Sequence, residues 1–191
     1  SGKPIGDAML KDSIQTQEKL CANFGRKRKS VSMGLYRIGL IKWPVSYKAA
    51  DPDATMFKPL GLEQTMSLRR ILEEHPKGKE YGHIIAGNER YPILMGADGG
   101  ILSMAPVINS DDIGAVQVGD QDLLVEFTGT DLPSVALSAS IVACDFADAG
   151  YEIKPVNVDY AFETPFGRSL TRLHYFQAPA SVDSGKVRKL L

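Results

Sequence analysis

A chain of 191 residues with 43% hydrophobic and 24% charged residues has the make-up of an ordinary globular domain, long enough to enclose a core. Its net charge of −1 excludes a global attraction to nucleic acid, so any such contact must come from a local patch. No apolar run approaches a membrane span, and the opening SGKPIGDAML lacks the n-region and h-region of a secretory signal; the expectation is a cytoplasmic protein, or a piece of one, with no membrane partner.

Taken in chain order, residues 7–24 place Met9, Leu10, Ile14, Leu20 and Phe24 among polar residues, which predicts an amphipathic helix ended by Gly25. The basic run Arg26-Lys27-Arg28-Lys29 follows. In SVSMGLYRIGLI, Val31, Met33 and Leu35 alternate with Ser30, Ser32 and Gly34, a strand pattern. WPVSYKAADPDATMFKPLG, with three prolines, reads as strand pieces and loop. TMSLRRILEEHP is a short helix that Thr65 or Ser67 can cap, with Pro76 just past its end. YPILMGADGGILSMAPVINS is a hairpin whose tip, Ala97-Asp98-Gly99-Gly100, needs the positive φ that glycine supplies. GAVQVGDQDLLVEFTGTD predicts two strands. LPSVALSASIVACDFADAG predicts a helix with Asp131 as N-cap, Pro133 in the first turn and Gly150 beyond the end. YEIKPVNVDY and RSLTRLHYF read as strands, and SVDSGKVRKLL starts a helix cut short by the chain end, the expectation for a fragment. Helices and strands mix without a βαβ rhythm, so the fold class is α+β, layered mixed sheets with flanking helices. It forms one module over 1–191 that divides, if at all, into two tightly packed lobes at about 1–90 and 91–180.

Few chemical signatures stand out. His75, His83 and His174 are scattered, and Cys21 and Cys144 fit no metal or redox spacing, so no metal site is expected and the thiols read as free. There is no G-x-S-x-G elbow and no Walker A loop; GADGG reads as turn chemistry at a hairpin tip. GRKRKS is either a solvated helix end, where cations suit the dipole, or a phosphate contact. Pro106 cannot donate to a ladder, so the strand edge is expected to be released near Asn109 and Ser110. In LLVEFTGTD, Glu126, Thr128 and Thr130 point to one face of a strand and Val125 and Phe127 to the other. That polar face is either wet or the wall of a pocket, and a buried carboxylate there is costly unless it finds a partner.

The runs QEKLCANFGRKRKSVSMGLY, RILEEHPKGKEYGHII, YPILMGADGGILSMAPVINS and LLVEFTGTDLPSVALSASIV, in this order, resemble the archaeal and eukaryotic type of phenylalanyl-tRNA synthetase β-subunit, in its third and fourth domains, the amino-acid editing module. The resemblance covers roughly Gln17 to Tyr160. It implies hydrolysis of mischarged Tyr-tRNA(Phe) with Phe-tRNA(Phe) spared. It further implies tRNA(Phe) and the synthetase α-subunit, in a heterotetramer, as partners. Editing would need no cofactor, and ATP and Mg would serve only the parent synthetase. The class II aminoacylation motifs are not in this chain, so it should not activate phenylalanine alone.

By the same resemblance Glu126, spaced from Asp131 as in an E-x-x-x-x-D stretch, would sense the tyrosyl hydroxyl. Asn109 would line the same pocket. Thr128 and Thr130 join them by strand alternation alone. Arg26, Lys27, Arg28 and Lys29 match a GRNRK-type run and would meet tRNA. No catalytic base is assigned. Where relatives often carry a His-Asp pair, this chain has Tyr36-Arg37, and a tyrosine is no base near neutral pH. The rival reading is a non-catalytic RNA-binding module of the same fold. A third is a domain that binds aromatic amino acids without hydrolysis.

Overall fold

The computed structural model describes residues 3–161, residue 163 and the backbone of residues 169–170. The chain order is α1 (Asp7–Ala22), β1 (Val31–Arg37), β2 (Ser46–Ala50), β3 (Met56–Phe57), β4 (Met66–Ser67), α2 (Leu68–Glu74), α3 (Pro76–Tyr81), β5 (Tyr91–Met95), β6 (Ile101–Met104), β7 (Ile108–Asn109), α4 (Asp111–Gly114), β8 (Leu123–Gly129), α5 (Leu132–Asp148), β9 (Val158–Asp159) and β10 (Ser169–Leu170). The fold is α+β. All pairings are antiparallel: a β1–β8 ribbon, a four-stranded sheet in the order β2-β5-β6-β7, and the short pairs β3–β4 and β9–β10.

The layers follow from which face of each strand is apolar. Met33 and Leu35 on β1, with Val125 and Phe127 on β8, pack against Leu20 and Cys21 of α1 and Val142 and Phe146 of α5. The opposite face of the ribbon turns toward the four-stranded sheet, where Tyr36 and Leu124 pack with Leu94, Leu102 and Ala105. The far side of that sheet buries Tyr91, Ile93 and Met104 against Leu68, Ile71 and Leu72 of α2. β1 is therefore covered on both faces, and its small polar residues Ser32 and Gly34 are buried along with the apolar ones. The β1–β8 and β2–β5 pairings each join residues from either side of position 90.

The helix ends have identifiable causes. Ser67, rather than Thr65, caps α2 by accepting from the Arg70 N–H at 3.3 Å. Pro76 does not merely follow α2; it opens α3, where its missing N–H costs nothing. His75 links the two helices. Its Nδ1 accepts from the Lys77 N–H at 3.0 Å and its Nε2 lies 3.2 Å from the Leu60 carbonyl, to which it donates. Gly99, at φ +87°, supplies the tip of the β5–β6 hairpin.

Four expectations are corrected. Pro106 does not release an edge: residues 104–107 turn, with Val107 N–H bonded to Met104 O at 2.8 Å, and β7 pairs back onto β6. A proline needs no ladder partner in a turn, so the chain keeps the pairing on both sides of it. Residues 114–131 hold one strand, β8, not two: in place of the first, Gln117–Asp120 turns, with Gly119 at φ +99°, the Asp120 N–H bonded to Gln117 O at 3.1 Å and Asp120 Oδ2 accepting from the Gln117 N–H at 2.8 Å. Asp131 sits at the N-cap of α5 but its side chain accepts no helix N–H; its Oδ2 accepts from the Ser134 hydroxyl at 2.5 Å instead. The strand expected over 151–160 shrinks to Val158–Asp159. Most of RSLTRLHYF and the whole of SVDSGKVRKLL lie outside the described residues.

Candidate functional site

The ribbon register builds the site. Gly34 pairs with Glu126, Ser32 with Thr128 and Tyr36 with Leu124. Side chains two residues apart on a strand share a face, so Ser32, Gly34 and Tyr36 line up opposite Thr128, Glu126 and Leu124. Gly34 leaves a gap that Tyr36 fills: a Cβ at Gly34 would lie 2.2 Å from the Tyr36 hydroxyl. The fully buried Tyr36 ring thus folds back over its own strand to reach Glu126, the cross-strand neighbour of Gly34.

The Tyr36 hydroxyl lies 3.1 Å from Glu126 Oε2 and 2.9 Å from Ser103 Oγ. One hydroxyl hydrogen cannot serve both. The phenol donates to the carboxylate, the stronger acceptor, and accepts from Ser103. Glu126 Oε1 is also buried and has no hydrogen-bond partner; among the described residues only the Ser138 hydroxyl shares that condition. Burial pushes the Glu126 carboxyl up to about 7, with the hydroxyls of Tyr36 and Thr128 pulling the other way. Burial first, and then the neighbouring Glu126 charge, hold the Tyr36 phenol well above its ordinary value, so at neutral pH it is a donor and no base. Arg37, the other member of the Tyr36-Arg37 pair, donates through Nε to Asp120 at 3.1 Å.

A cavity of about 330 Å³ opens beside these groups. Its polar lining includes Ser32, Tyr36, Ser103, Asn109 and Glu126, with Gln17, Arg28 and Lys77 also on its wall, and its apolar walls include Met33, Leu35, Met104 and Val107. Mostly apolar walls with a few convergent polar groups are the general character of small-molecule sites, and this volume lies at the small end of that class. Of the residues expected in a pocket, the fold brings Glu126 and Asn109 together. Asn109 packs over Gly114 and donates through Nδ2 to the Leu35 carbonyl at 3.3 Å, which holds its amide at the cavity wall. Thr128 stands next to Glu126 but spends its hydroxyl on Ser32, at 2.8 Å, and does not line the cavity. Thr130 is exposed and donates to the Lys29 carbonyl at 3.3 Å, also outside the cavity.

Sequence reasoning missed Ser32 and Ser103 and treated Tyr36 only as a departure. A signal was present: Ser103 is a lone polar residue inside ILSM, and Gly34 interrupts an otherwise full strand. Neither speaks of a site until the β1–β8 and β5–β6 pairings are known.

The basic run forms a turn in which Arg26, Lys27 and Arg28 all have positive φ, of 47°, 57° and 68°. Three successive non-glycine residues in this region store strain that the surroundings must over-determine. Here the turn is held by Lys27 N–H to Ala22 O and Arg28 N–H to Cys21 O, and by Gly25, where a Cβ would meet the Val31 carbonyl at 2.3 Å. Arg26, Lys27 and Lys29 project into solvent. Arg28 turns inward: its Nη1 donates to the carbonyls of Pro106 and Val107 at 3.2 and 3.0 Å, and its guanidinium lies 4.1 Å over the Tyr81 ring. It lines both the cavity and a neighbouring cleft of about 580 Å³ that also includes Lys27, Lys77, Tyr81 and His83.

Arg28 therefore separates from its neighbours in mutagenesis. Arg28→Ala will lower unfolding free energy by about 1–3 kcal/mol through two lost charge-assisted bonds to backbone carbonyls. Arg26→Ala and Lys27→Ala will leave chemical denaturation unchanged. If this surface meets RNA, each will reduce the salt slope of binding by about one.

No family model matches the chain. Over its full length it is 42% identical to the phenylalanine–tRNA ligase beta subunit of Treponema pallidum subsp. pallidum and 45% identical to that of Borreliella afzelii. Its homologues are phenylalanine–tRNA ligase beta subunits. The chain spans about a third of the length of these curated relatives, 32% and 34% respectively. The fold matches the crystal structure of an N-terminal fragment of the phenylalanyl-tRNA synthetase beta subunit from Pyrococcus horikoshii, with a TM-score of 0.81 and 38% identity, over 84% of this chain and 46% of that one. The resemblance read from sequence thus holds for the beta subunit and for the α+β fold.

Proposed function

We propose that this chain is the amino-acid editing module of an archaeal and eukaryotic-type phenylalanyl-tRNA synthetase beta subunit, a hydrolase that clears Tyr-tRNA(Phe) and spares Phe-tRNA(Phe). The observation that carries the reading is a buried carboxylate, Glu126, with unused acceptor capacity on the wall of an otherwise largely apolar cavity. Similarity to the Pyrococcus horikoshii beta-subunit fragment supports the archaeal type.

Phenylalanine and tyrosine differ by one hydroxyl. An apolar synthetic pocket rejects an added hydroxyl only modestly, by roughly 10²-fold in the comparable case. A second pocket that bonds the hydroxyl discriminates in the other direction, because phenylalanine would leave the polar group unpaired at a cost of about 1–3 kcal/mol or more. In this reading Glu126 accepts the phenolic proton's hydrogen bond and Asn109 lines the pocket. The ester is already activated. Positioning a water and offering hydrogen bonds to the developing oxyanion suffice for hydrolysis, with no metal or cofactor required and no single base assigned. The exposed cations Arg26, Lys27 and Lys29 meet tRNA(Phe). The chain acts as one module of a cytoplasmic parent enzyme, a heterotetramer with the α-subunit that uses ATP and Mg for aminoacylation.

Deacylation of Tyr-tRNA(Phe) against Phe-tRNA(Phe), by the parent enzyme and by this chain, tests the reading. The wild-type parent will hydrolyse the tyrosyl ester selectively, and Glu126→Ala will lower the rate on Tyr-tRNA(Phe) by about 10- to 100-fold, as expected for a lost charge-assisted contact. Selectivity that survives the substitution rejects Glu126 as the sensor. Absence of hydrolysis by both, with salt-steep tRNA binding retained, favours the non-catalytic RNA-binding module carried by the exposed basic turn.

A further inference from the structure

Resting on that reading, we propose that Tyr36 is the positioning residue for Glu126: its hydroxyl, backed by Ser103, pins the carboxylate against the cavity wall so that it accepts a phenol from the ligand.

A glutamate side chain has several rotatable bonds, and a buried one is fixed only by its partners. Glu126 Oε2 takes a hydrogen bond from Tyr36 at 3.1 Å, the larger of the two hydroxyl influences on it, and the Thr128 hydroxyl, shared with Ser32, is the smaller. Tyr36 is itself immobile. It is fully buried and packed with Ile41, Leu94, Leu102 and Leu124. Its hydroxyl is tied to Ser103 on β6. The chain Ser103–Tyr36–Glu126 thus runs from the four-stranded sheet to the ribbon, and all three residues line the same cavity.

The geometry also leaves the acceptor usable. A carboxylate has about four lone-pair sites. Tyr36 occupies one, and Oε1 has no hydrogen-bond partner. Donation to one oxygen fixes orientation without saturating the group. The arrangement depends on Gly34, since any Cβ there would occupy the place of the Tyr36 hydroxyl. Gly34, Tyr36, Ser103 and Glu126 therefore form one device for discriminating a phenol from a phenyl ring.

The test is a selectivity ratio, which a purely structural residue would not move. L-tyrosinamide and L-phenylalaninamide are titrated calorimetrically into the wild-type chain and into Tyr36→Phe, which keeps the ring and deletes the hydroxyl. The expected result is a fall of about tenfold in the tyrosinamide-over-phenylalaninamide affinity ratio, with phenylalaninamide binding changed by less than about twofold. An unchanged ratio, or equal weakening of both ligands, overturns the proposal. So does tighter tyrosinamide binding, which would make Tyr36 a competitor for Glu126. Should Tyr36→Phe fail to fold, Ser103→Ala must lower the same ratio, and an unchanged ratio there is equally fatal. A wild-type chain with no preference for the phenol refutes the pocket reading itself, and the positioning role with it. Wild-type preference that persists in Tyr36→Phe refutes the positioning role alone.

Discussion

Glu126→Gln will flatten the decline in stability that the wild-type chain shows as pH rises from about 4.5 to about 8. The Glu126 carboxyl titrates from an ordinary 4.5 up to about 7 in the fold. A carboxyl with a raised folded value binds more protons folded than unfolded, so stability falls as pH rises. The stabilisation is complete below about 4.5 and is lost through about 7. That net shift corresponds to about 3 kcal/mol. Glutamine has the same shape and no charge, but its amide hydrogens must also find partners, so the gain at pH 8 should be on the order of 2 kcal/mol.

Urea denaturation at half-unit pH steps measures this directly. Other carboxylates do not confuse the result. Asp53, held by Arg69, and Asp111, held by Lys58, have lowered values, so their stabilisation is present above the ordinary carboxylate range and lost as pH falls below it. Equal slopes for wild type and Glu126→Gln between pH 5 and about 8 would show that Glu126 is not a strained carboxylate. A glutamine variant that is more stable yet unable to prefer tyrosyl substrates would mark Glu126 as retained for function at the expense of stability.

Gly78→Ala will be among the most damaging single-methyl additions in the chain. A Cβ on Gly78 would stand 1.8 Å from the Ile71 carbonyl oxygen and 2.7 Å from the Leu72 Cα. Both are backbone atoms of α2, so no side-chain rotation relieves the overlap. α2 and α3 must separate, and the buried side chains Leu68, Ile71 and Leu72 move with them. The expected loss is roughly 3 kcal/mol, the upper range for overpacking. Gly87→Ala is the control: nothing lies within 4 Å of a Cβ there. It should stay within about 0.5 kcal/mol of wild type. The site will register the damage, since α3 carries Lys77 of the cavity wall and Tyr81, on whose ring Arg28 rests. A Gly78→Ala midpoint equal to that of Gly87→Ala would contradict the close helix crossing.

The same crossing gives HPKGKEY, residues 75–81, its structural roles. Its residues serve the fold: His75 joins two helices, Pro76 starts the second, Gly78 permits their approach and Tyr81 supports Arg28.

Local rules settled a good deal unaided. They narrow the α2 cap to Thr65 or Ser67, and the α1 and α5 helices, the hairpin tip at Gly99 and the alternation of β8 all follow from periodicity and from residues that suit particular φ values. So did the polar face bearing Glu126. The tertiary structure decided which of two readings that face would take. Periodicity is a property of one strand, whereas a pocket needs two sheets. Only the pairing of residues 31–37 with 123–129, some ninety positions apart, sets Gly34 against Glu126 and lays Tyr36 between them. Only the packing of that ribbon on the β5–β6 hairpin supplies Ser103 and encloses Asn109. The same long-range contacts split the basic run, drawing Arg28 inward to the 106–107 turn and leaving its neighbours in water. Side-chain burial and hydrogen-bond partners arise between segments distant in the chain, so no window of sequence contains them.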